Sequence, residues 1–217
     1  MAGDKYVLTY FPARGRAEIA RYLFAIGGIE YTDKRVEFPE FQKTLKPFTP
    51  FGQLPVLEVN GVLVSYTIPQ SRAIERFIAK EIGLFGSNNL EAALIDSVVE
   101  HFVDVNLAYR KARETDDKNK DTEDKSKAKD EFFEKAFPAM LAPLEKFLTE
   151  NGSGYLVGAK LSLADVVIYF LLTDYFDAKD KVAAILSHLP HLTKLVSTVG
   201  AIPALQAHLK SRPVTTM

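Results

Sequence analysis

The chain has 217 residues, 47% hydrophobic and 25% charged, with a formal net charge of -1. That is enough for one domain or two small ones, and no general pull toward nucleic acid or anionic membrane is expected. It has no cysteine, which excludes a disulfide scaffold, a thiolate metal site and a cysteine nucleophile together, so any thiol chemistry must use a thiol that arrives with a substrate.

The first third alternates strand and helix patterns. "KYVLTYF" is β-branched and aromatic and stops at Pro12, so it reads as a strand. "RAEIARYLFAIGG" puts Ile19, Leu23 and Ile26 on one face and ends in Gly27-Gly28, a helix with a glycine stop. "EYTDKRVEF" is a second strand, and "LPVLEVNGVLVSY" reads as a hairpin joined at Asn60-Gly61. "QSRAIERFIAKEIGL" is a helix. From Asn89 onward the strand signal is gone. "LEAALIDSVVEHFVDVNLAYRKARE" is a long helix by period, and the mixed-charge run after it reads as helix ends joined by a loop. "EKAFPAMLAPLEKFLTENG", "SLADVVIYFLLTDYF" and "LTKLVSTVGAIPALQAHLKSRP" supply further helices. No run of about 20 apolar residues marks a membrane span. No signal peptide is visible, so a cytoplasmic location is the expectation. The histidines, His101, His188, His191 and His208, lack metal-ligand spacing.

Three stretches carry candidate chemistry. "YFPARGR" sets a phenol, Tyr10, before Arg14 and Arg16 at the first strand-to-helix turn. Pro55 opens "PVLEV"; it is an ordinary edge proline or a cis Leu54-Pro55 bond that frees the Leu54 backbone for an extended peptide. "PQSRAI" places Gln70 and Ser71 before a helix, as a simple cap or as an anion site where free N–H groups and the helix dipole favour a carboxylate. "SLAD", with Ser162 and Asp165, reads as a structural capping box.

Taken in order, "YFPARGRAE", "PFGQLPVLEVNG", "PQSRAI", "LADVVIYF" and the closing "SRP" resemble a cytosolic glutathione transferase over nearly the whole chain. The opening and the "RP" ending are most similar to the sigma class, which includes glutathione-dependent prostaglandin D synthases and S-crystallins. The resemblance implies an α/β thioredoxin-like N-terminal domain (βαβ–ββα) over residues 1–83, a linker at 84–89, and an all-α C-terminal domain over 90–217 that carries the electrophile site. It implies catalytic roles for Tyr10 and Arg16. It places Phe41 and Lys46 at the glycyl end of glutathione, with Gln53 close by, and Leu54 and cis-Pro55 at the cysteinyl unit. Gln70 and Ser71 fall at the γ-glutamyl carboxylate, and Asp104 reaches the γ-glutamyl amine from a partner subunit. Phe11, Ala13, Arg14 and Tyr109 are the candidates for the electrophile site, and Phe51 for a dimer contact. Glutathione is then a co-substrate, with no permanently bound cofactor, no metal and no nucleic-acid or membrane partner; small apolar electrophiles and a second copy of the chain are the expected partners.

The chain departs from the family pattern in three ways. It is longer between Phe41 and Lys46, it has extra residues around Ser65–Ile68, and it lacks tryptophan. Two alternatives stay beside the conjugating enzyme: a glutathione-dependent prostaglandin D isomerase, and a non-catalytic crystallin-like or ligand-carrier protein. Thiol-disulfide exchange is disfavoured because no mixed disulfide with the protein can form without a cysteine.

Overall fold

Alternation in "YVLTY" buries Tyr6, Leu8 and Tyr10 on one face, and the resulting strand β1 (Tyr6–Tyr10) is central in its sheet. The computed structural model describes residues 5–60, 65–119 and 126–215. The sheet order is β2-β1-β3-β4, with β2 at Thr32–Arg35, β3 at Val56–Asn60 and β4 at Ser65–Pro69. β1 runs parallel to β2 and antiparallel to β3, and β3 pairs antiparallel with β4. A parallel pair needs a crossover, which helix α1 (Glu18–Gly27) supplies. It stops as expected, on Gly28 in the left-handed region at φ 61. Helix α3 (Ser71–Glu81) adds Ile74 and Ile78 to a core shared with Leu8, Leu23 and Leu57. The thioredoxin-like βαβ–ββα arrangement expected from the sequence is therefore the one observed.

The hairpin differs in detail. Asn60 pairs with Ser65, and the Asn60-Gly61 turn falls on residues 61–64, outside the described residues. The extra "SYTI" residues form regular β4 rungs opposite β3, with no bulge. Tyr6 is structural: its hydroxyl donates to Glu81 Oε2 at 3.0 Å. Between β2 and β3 the chain makes three short helical turns, α2 (Phe38–Glu40), Phe41–Leu45 and Lys46–Phe48, which sequence reading passed over as a connection. Each is too short for a helical period to register, and Pro39 and Pro47 interrupt the pattern.

The chain divides into two units, Met1–Leu84 with Ala201–Met217, and Phe85–Gly200. In the second, α4 (Asn89–Lys118) starts on Asn88, whose side chain accepts the N–H groups of Leu90 and Glu91, both at 3.0 Å. Ile95, Val98, Val99, Phe102, Val105 and Tyr109 form its buried stripe. α5 (Lys127–Glu131) follows, tied to α4 by Asp116, which accepts the N–H groups of Ala128 at 2.9 Å and Lys129 at 3.1 Å. Residues 120–125 of the charged run lie outside the described residues. A wider turn at Phe132–Ala136 leads into α6 (Phe137–Asn151). α7 (Leu163–Phe170) is buried along its whole length and opens on the expected capping box of Ser162 and Asp165. α8 (Lys179–Leu186) was not foreseen; it buries only Val182, so it has no apolar stripe to read. α9 (Pro190–Gly200) closes this unit, while α10 (Pro203–Ser211) returns to pack on α1. Among the described residues, no helix is long and apolar enough to cross a membrane.

Candidate functional site

Tyr10 ends β1 and is held at three points. Its carbonyl accepts the Val36 N–H at 2.9 Å, and its ring packs on Phe11 with centroids 5.3 Å apart. Its hydroxyl oxygen accepts the backbone N–H of Arg16 at 3.2 Å. Tyr10 is 9% exposed, and its hydroxyl lies against the turn that follows it. Gly15 makes this approach possible. Its φ is +42, and a Cβ there would lie 2.7 Å from Tyr10 Oη. Sequence reading passed over Gly15 as a functional position, although its place between Arg14 and Arg16 was visible.

A single recess gathers Arg16, Gln53, Leu54, Pro55, Gln70 and Ser71 from three separated segments, with Phe51 and Pro69 completing its wall. The Leu54-Pro55 bond is cis. Pro55 is followed by β3, and Pro69 ends β4 opposite Val56, so the two prolines bracket one end of the hairpin. Gln70 has φ 71 and ψ 117. A residue with a side chain rarely adopts that backbone, and it costs about 1–3 kcal/mol. The strain delivers the chain into α3 with Ser71 as the first helical residue. Ser71 therefore does not cap the helix: Gln70 holds the cap position, and no side chain caps there. The first-turn N–H groups have no partner within the helix, which leaves this end of α3 able to receive an anion.

The remaining predicted residues are spread more widely. Lys46 is exposed, with its Nζ 3.3 Å from Gln42 Oε1 and its stem against Gly52. Phe41 is buried, edge-on to Phe11 at 5.5 Å. Ala13 and Arg14 are half-buried in the turn after Tyr10, and the Ala13 N–H donates to the Phe11 carbonyl at 2.7 Å. In the helical unit, Asp104 is exposed on α4. Tyr109 is buried in an aromatic cluster, 4.8 Å from Phe176 and 5.2 Å from Phe132, and burial raises its pKa.

Two buried charge systems flank the first unit's site, and neither was foreseen. Glu18 and Arg21 of α1 are 1% and 0% exposed. Burial alone would raise the Glu18 pKa, but hydrogen bonds from His208, Arg212 and Arg21 outweigh it and hold it at about 2. Glu75, buried in α3, pairs with Arg72 on one oxygen. Its Oε1 has no hydrogen-bond partner among the described residues, and burial pushes the carboxyl up to about 7 against the pull of Arg72.

Residues 6–80 match the family profile of the glutathione S-transferase N-terminal domain, and residues 111–212 that of the C-terminal domain. The chain is similar to the hematopoietic prostaglandin D synthase of Gallus gallus, 39% identical over 97% of this chain and 98% of that one. It is 32% identical to S-crystallin SL11 of Nototodarus sloanii, over 95% and 96% of the two chains. Among solved structures it superposes on monomeric Na-GST-3, a glutathione S-transferase of the hookworm Necator americanus, with a TM-score of 0.84 and 36% identity, covering 97% of this chain and 98% of that one. With both halves matched and relatives aligned almost end to end, the chain belongs to the glutathione S-transferase family.

Proposed function

We propose that the protein is a tyrosine-type, sigma-like glutathione transferase that joins the thiolate of glutathione to small apolar electrophiles. The observation that carries this reading is the Arg16 N–H on the Tyr10 oxygen. The phenol accepts from the backbone, which leaves its own proton to donate. A free thiol has a pKa of about 8.5, so little of it is ionised at neutral pH. A hydrogen bond from Tyr10 to the sulfur favours the anion, and each unit of lowering corresponds to about 1.4 kcal/mol. The Arg16 guanidinium adds positive charge on the same side. Tyr10 acts as a hydrogen-bond donor to the sulfur. The thiol proton passes to solvent, the sulfur forms its bond to the electrophilic carbon, and the leaving group departs.

In the proposed complex, the γ-glutamyl carboxylate sits at the start of α3 against Gln70 and Ser71. The cysteinyl backbone pairs with Leu54 beside Pro55, with Gln53 close by. Lys46 meets the glycyl carboxylate, and Phe41 backs it through Phe11. Residues 1–83 bind glutathione and 90–217 supply most of the electrophile site, joined by 84–89. Phe11, Ala13 and Arg14 are the proposed electrophile contacts from the turn after Tyr10. The working form is a cytoplasmic homodimer in which Asp104 approaches the partner's glutathione amine, and no permanently bound cofactor is needed.

A second reading, prostaglandin D isomerisation, draws its support from the named function of the Gallus gallus relative. It uses the same Tyr10 and the same thiolate and differs in what the electrophile pocket admits. The test is conjugation of glutathione to chlorodinitrobenzene by the wild type and Tyr10→Phe. We expect kcat to fall roughly 100-fold, as when one hydrogen-bond donor to a developing anion is lost, with glutathione affinity retained. Equal rates in the two proteins overturn the role of Tyr10.

A further inference from the structure

The turn that brings the Arg16 N–H to Tyr10 is braced from outside as well as by its own Ala13–Phe11 hydrogen bond. Its carbonyls are tied down by one buried side chain. Arg21 Nη1 donates to the Ala13 carbonyl at 2.9 Å and lies 3.4 Å from that of Arg14. The same nitrogen donates to Glu18 Oε2 at 2.9 Å. Arg21 Nε donates to Asp33 Oδ1 at 3.1 Å, and Arg35 holds the other oxygen of Asp33 at 2.8 Å. Arg35 is the residue opposite Tyr10 in the β1–β2 register. One guanidinium thus fixes the turn against the strand that flanks Tyr10, and its planar fork fixes direction as well as distance.

Glu18, which orients Arg21, is itself held from the other end of the chain. Arg212 Nη1 donates to Glu18 Oε1 at 2.7 Å and to the Tyr22 hydroxyl at 3.2 Å. His208 Nε2 lies 3.4 Å from the same Glu18 oxygen, with its ring edge-on to Tyr22 at 5.7 Å. The path from the C-terminal helix to the Tyr10 hydroxyl is therefore Arg212, Glu18, Arg21, the Ala13 carbonyl, then the Arg16 N–H. The Gly15 backbone packs so close to the phenol that there is no room for a Cβ between them, which couples the turn to the hydroxyl by direct contact.

We propose that Arg21 and Arg212 are positioning residues for Tyr10, so that the segment after α10 sets the geometry of the thiolate donor although it touches no substrate. This rests on Tyr10 being the donor, as argued above. Removal of Arg21 leaves Glu18 buried with fewer partners and threatens folding. Arg212 lies at the rim of the network, 18% exposed, and is the better handle.

The experiment uses the full chain as wild type, Arg212→Ala, Arg212→Lys and, as a control on the same helix, Lys210→Ala. The readouts are the pH midpoint of the bound glutathione thiolate, followed by its ultraviolet absorption, and the kinetics of conjugation to chlorodinitrobenzene. For Arg212→Ala we expect the midpoint to rise by about half to one unit and kcat at neutral pH to fall about 3- to 10-fold, with the glutathione KM little changed. Arg212→Lys should restore part of the shift, since it returns the charge without the fork, and Lys210→Ala should match the wild type. If Arg212→Ala does not fold, a midpoint in Arg212→Lys above that of the wild type supports the proposal. An unmoved midpoint in the folded Arg212 variants, accompanied only by a lower Tm, overturns it and leaves a purely structural network. Tyr10→Phe is run alongside. If that variant keeps the wild-type midpoint, Tyr10 is not the donor and both readings fall; if it shifts while the Arg212 variants do not, only the positioning role falls.

Discussion

Gln70 is bent into a conformation it would not choose. At φ 71 and ψ 117 it lies outside even the left-handed helical well, and among the described residues no side-chain hydrogen bond offsets this at the cap. Strain of about 1–3 kcal/mol held at a recess is a sign that the position serves something other than stability. Glycine would remove the strain at a cost of about 0.5–1 kcal/mol in chain entropy. Gln70→Gly is therefore expected to leave the stability measured by urea unfolding unchanged or raised by up to about 2.5 kcal/mol. Glutathione affinity, measured by calorimetry, should fall about tenfold, the loss of roughly one hydrogen bond to a charged group. Tight binding retained in the glycine variant would count against an anion site at Gln70. Gly15 shows the opposite arrangement: there the backbone is permitted only because no side chain stands between it and the Tyr10 hydroxyl.

α7 depends on its first turn. Asp165 accepts the N–H of Ser162 at 2.7 Å and of Leu156 at 2.8 Å, so one carboxylate closes the capping box and pins the preceding loop. Every residue of the helix is buried, so its end has no water to fall back on. Asp165→Ala is expected to cost more than an exposed cap, about 2–4 kcal/mol, because two buried donors lose their partner. Urea unfolding measures this, and a loss under 1 kcal/mol would show that the box is dispensable. In α4 the order is reversed. Its Asn88 cap is exposed, while its hold on the unit comes from the buried stripe and from Tyr109 in the aromatic cluster.

Glu18 and Glu75 give the whole molecule opposing responses to pH. Glu18 has a folded pKa of about 2 against an ordinary 4.5. Its contribution is present above pH 4.5 and is lost as pH falls through about 2, on the order of 3 kcal/mol. Glu75 has a folded pKa raised to about 7. Its carboxyl holds the proton more tightly when folded, so stability declines as pH rises from 4.5 through 7. The wild type should therefore be most stable near pH 4.5 as far as these two groups decide it. Unfolding free energies across pH should show a flatter acid limb for Glu18→Gln and a flatter neutral limb for Glu75→Gln; unchanged limbs would remove each group from the account. Assembly is the other whole-molecule property. Phe51 is 62% exposed in the isolated chain, and in the proposed homodimer it becomes covered. Light scattering should find a dimer for the wild type and a higher monomer fraction for Phe51→Ser. A wild-type monomer, like the Necator americanus relative described as monomeric, would remove the partner role of Asp104.

Much of the fold can be read along the chain because the signals are local. Alternation in "YVLTY", the glycine stop after α1, the capping box at Ser162 and the long period of α4 each involve residues within a few turns of one another. Tyr10, Gln70 and Ser71 can be named as candidates for the same reason, as short motifs in an ordered series. The short helical turns between β2 and β3 were not legible, since they are below the length at which a period can show itself. The network joining Arg212, Glu18, Arg21 and Asp33 was not legible either. It brings together side chains from α1, β2 and the far end of the chain, and no periodicity specifies which distant charges will meet. That choice is made by packing: once α10 lies on α1, Glu18 and Arg21 are cut off from water, and their partners are the charged and polar groups that packing brings beside them.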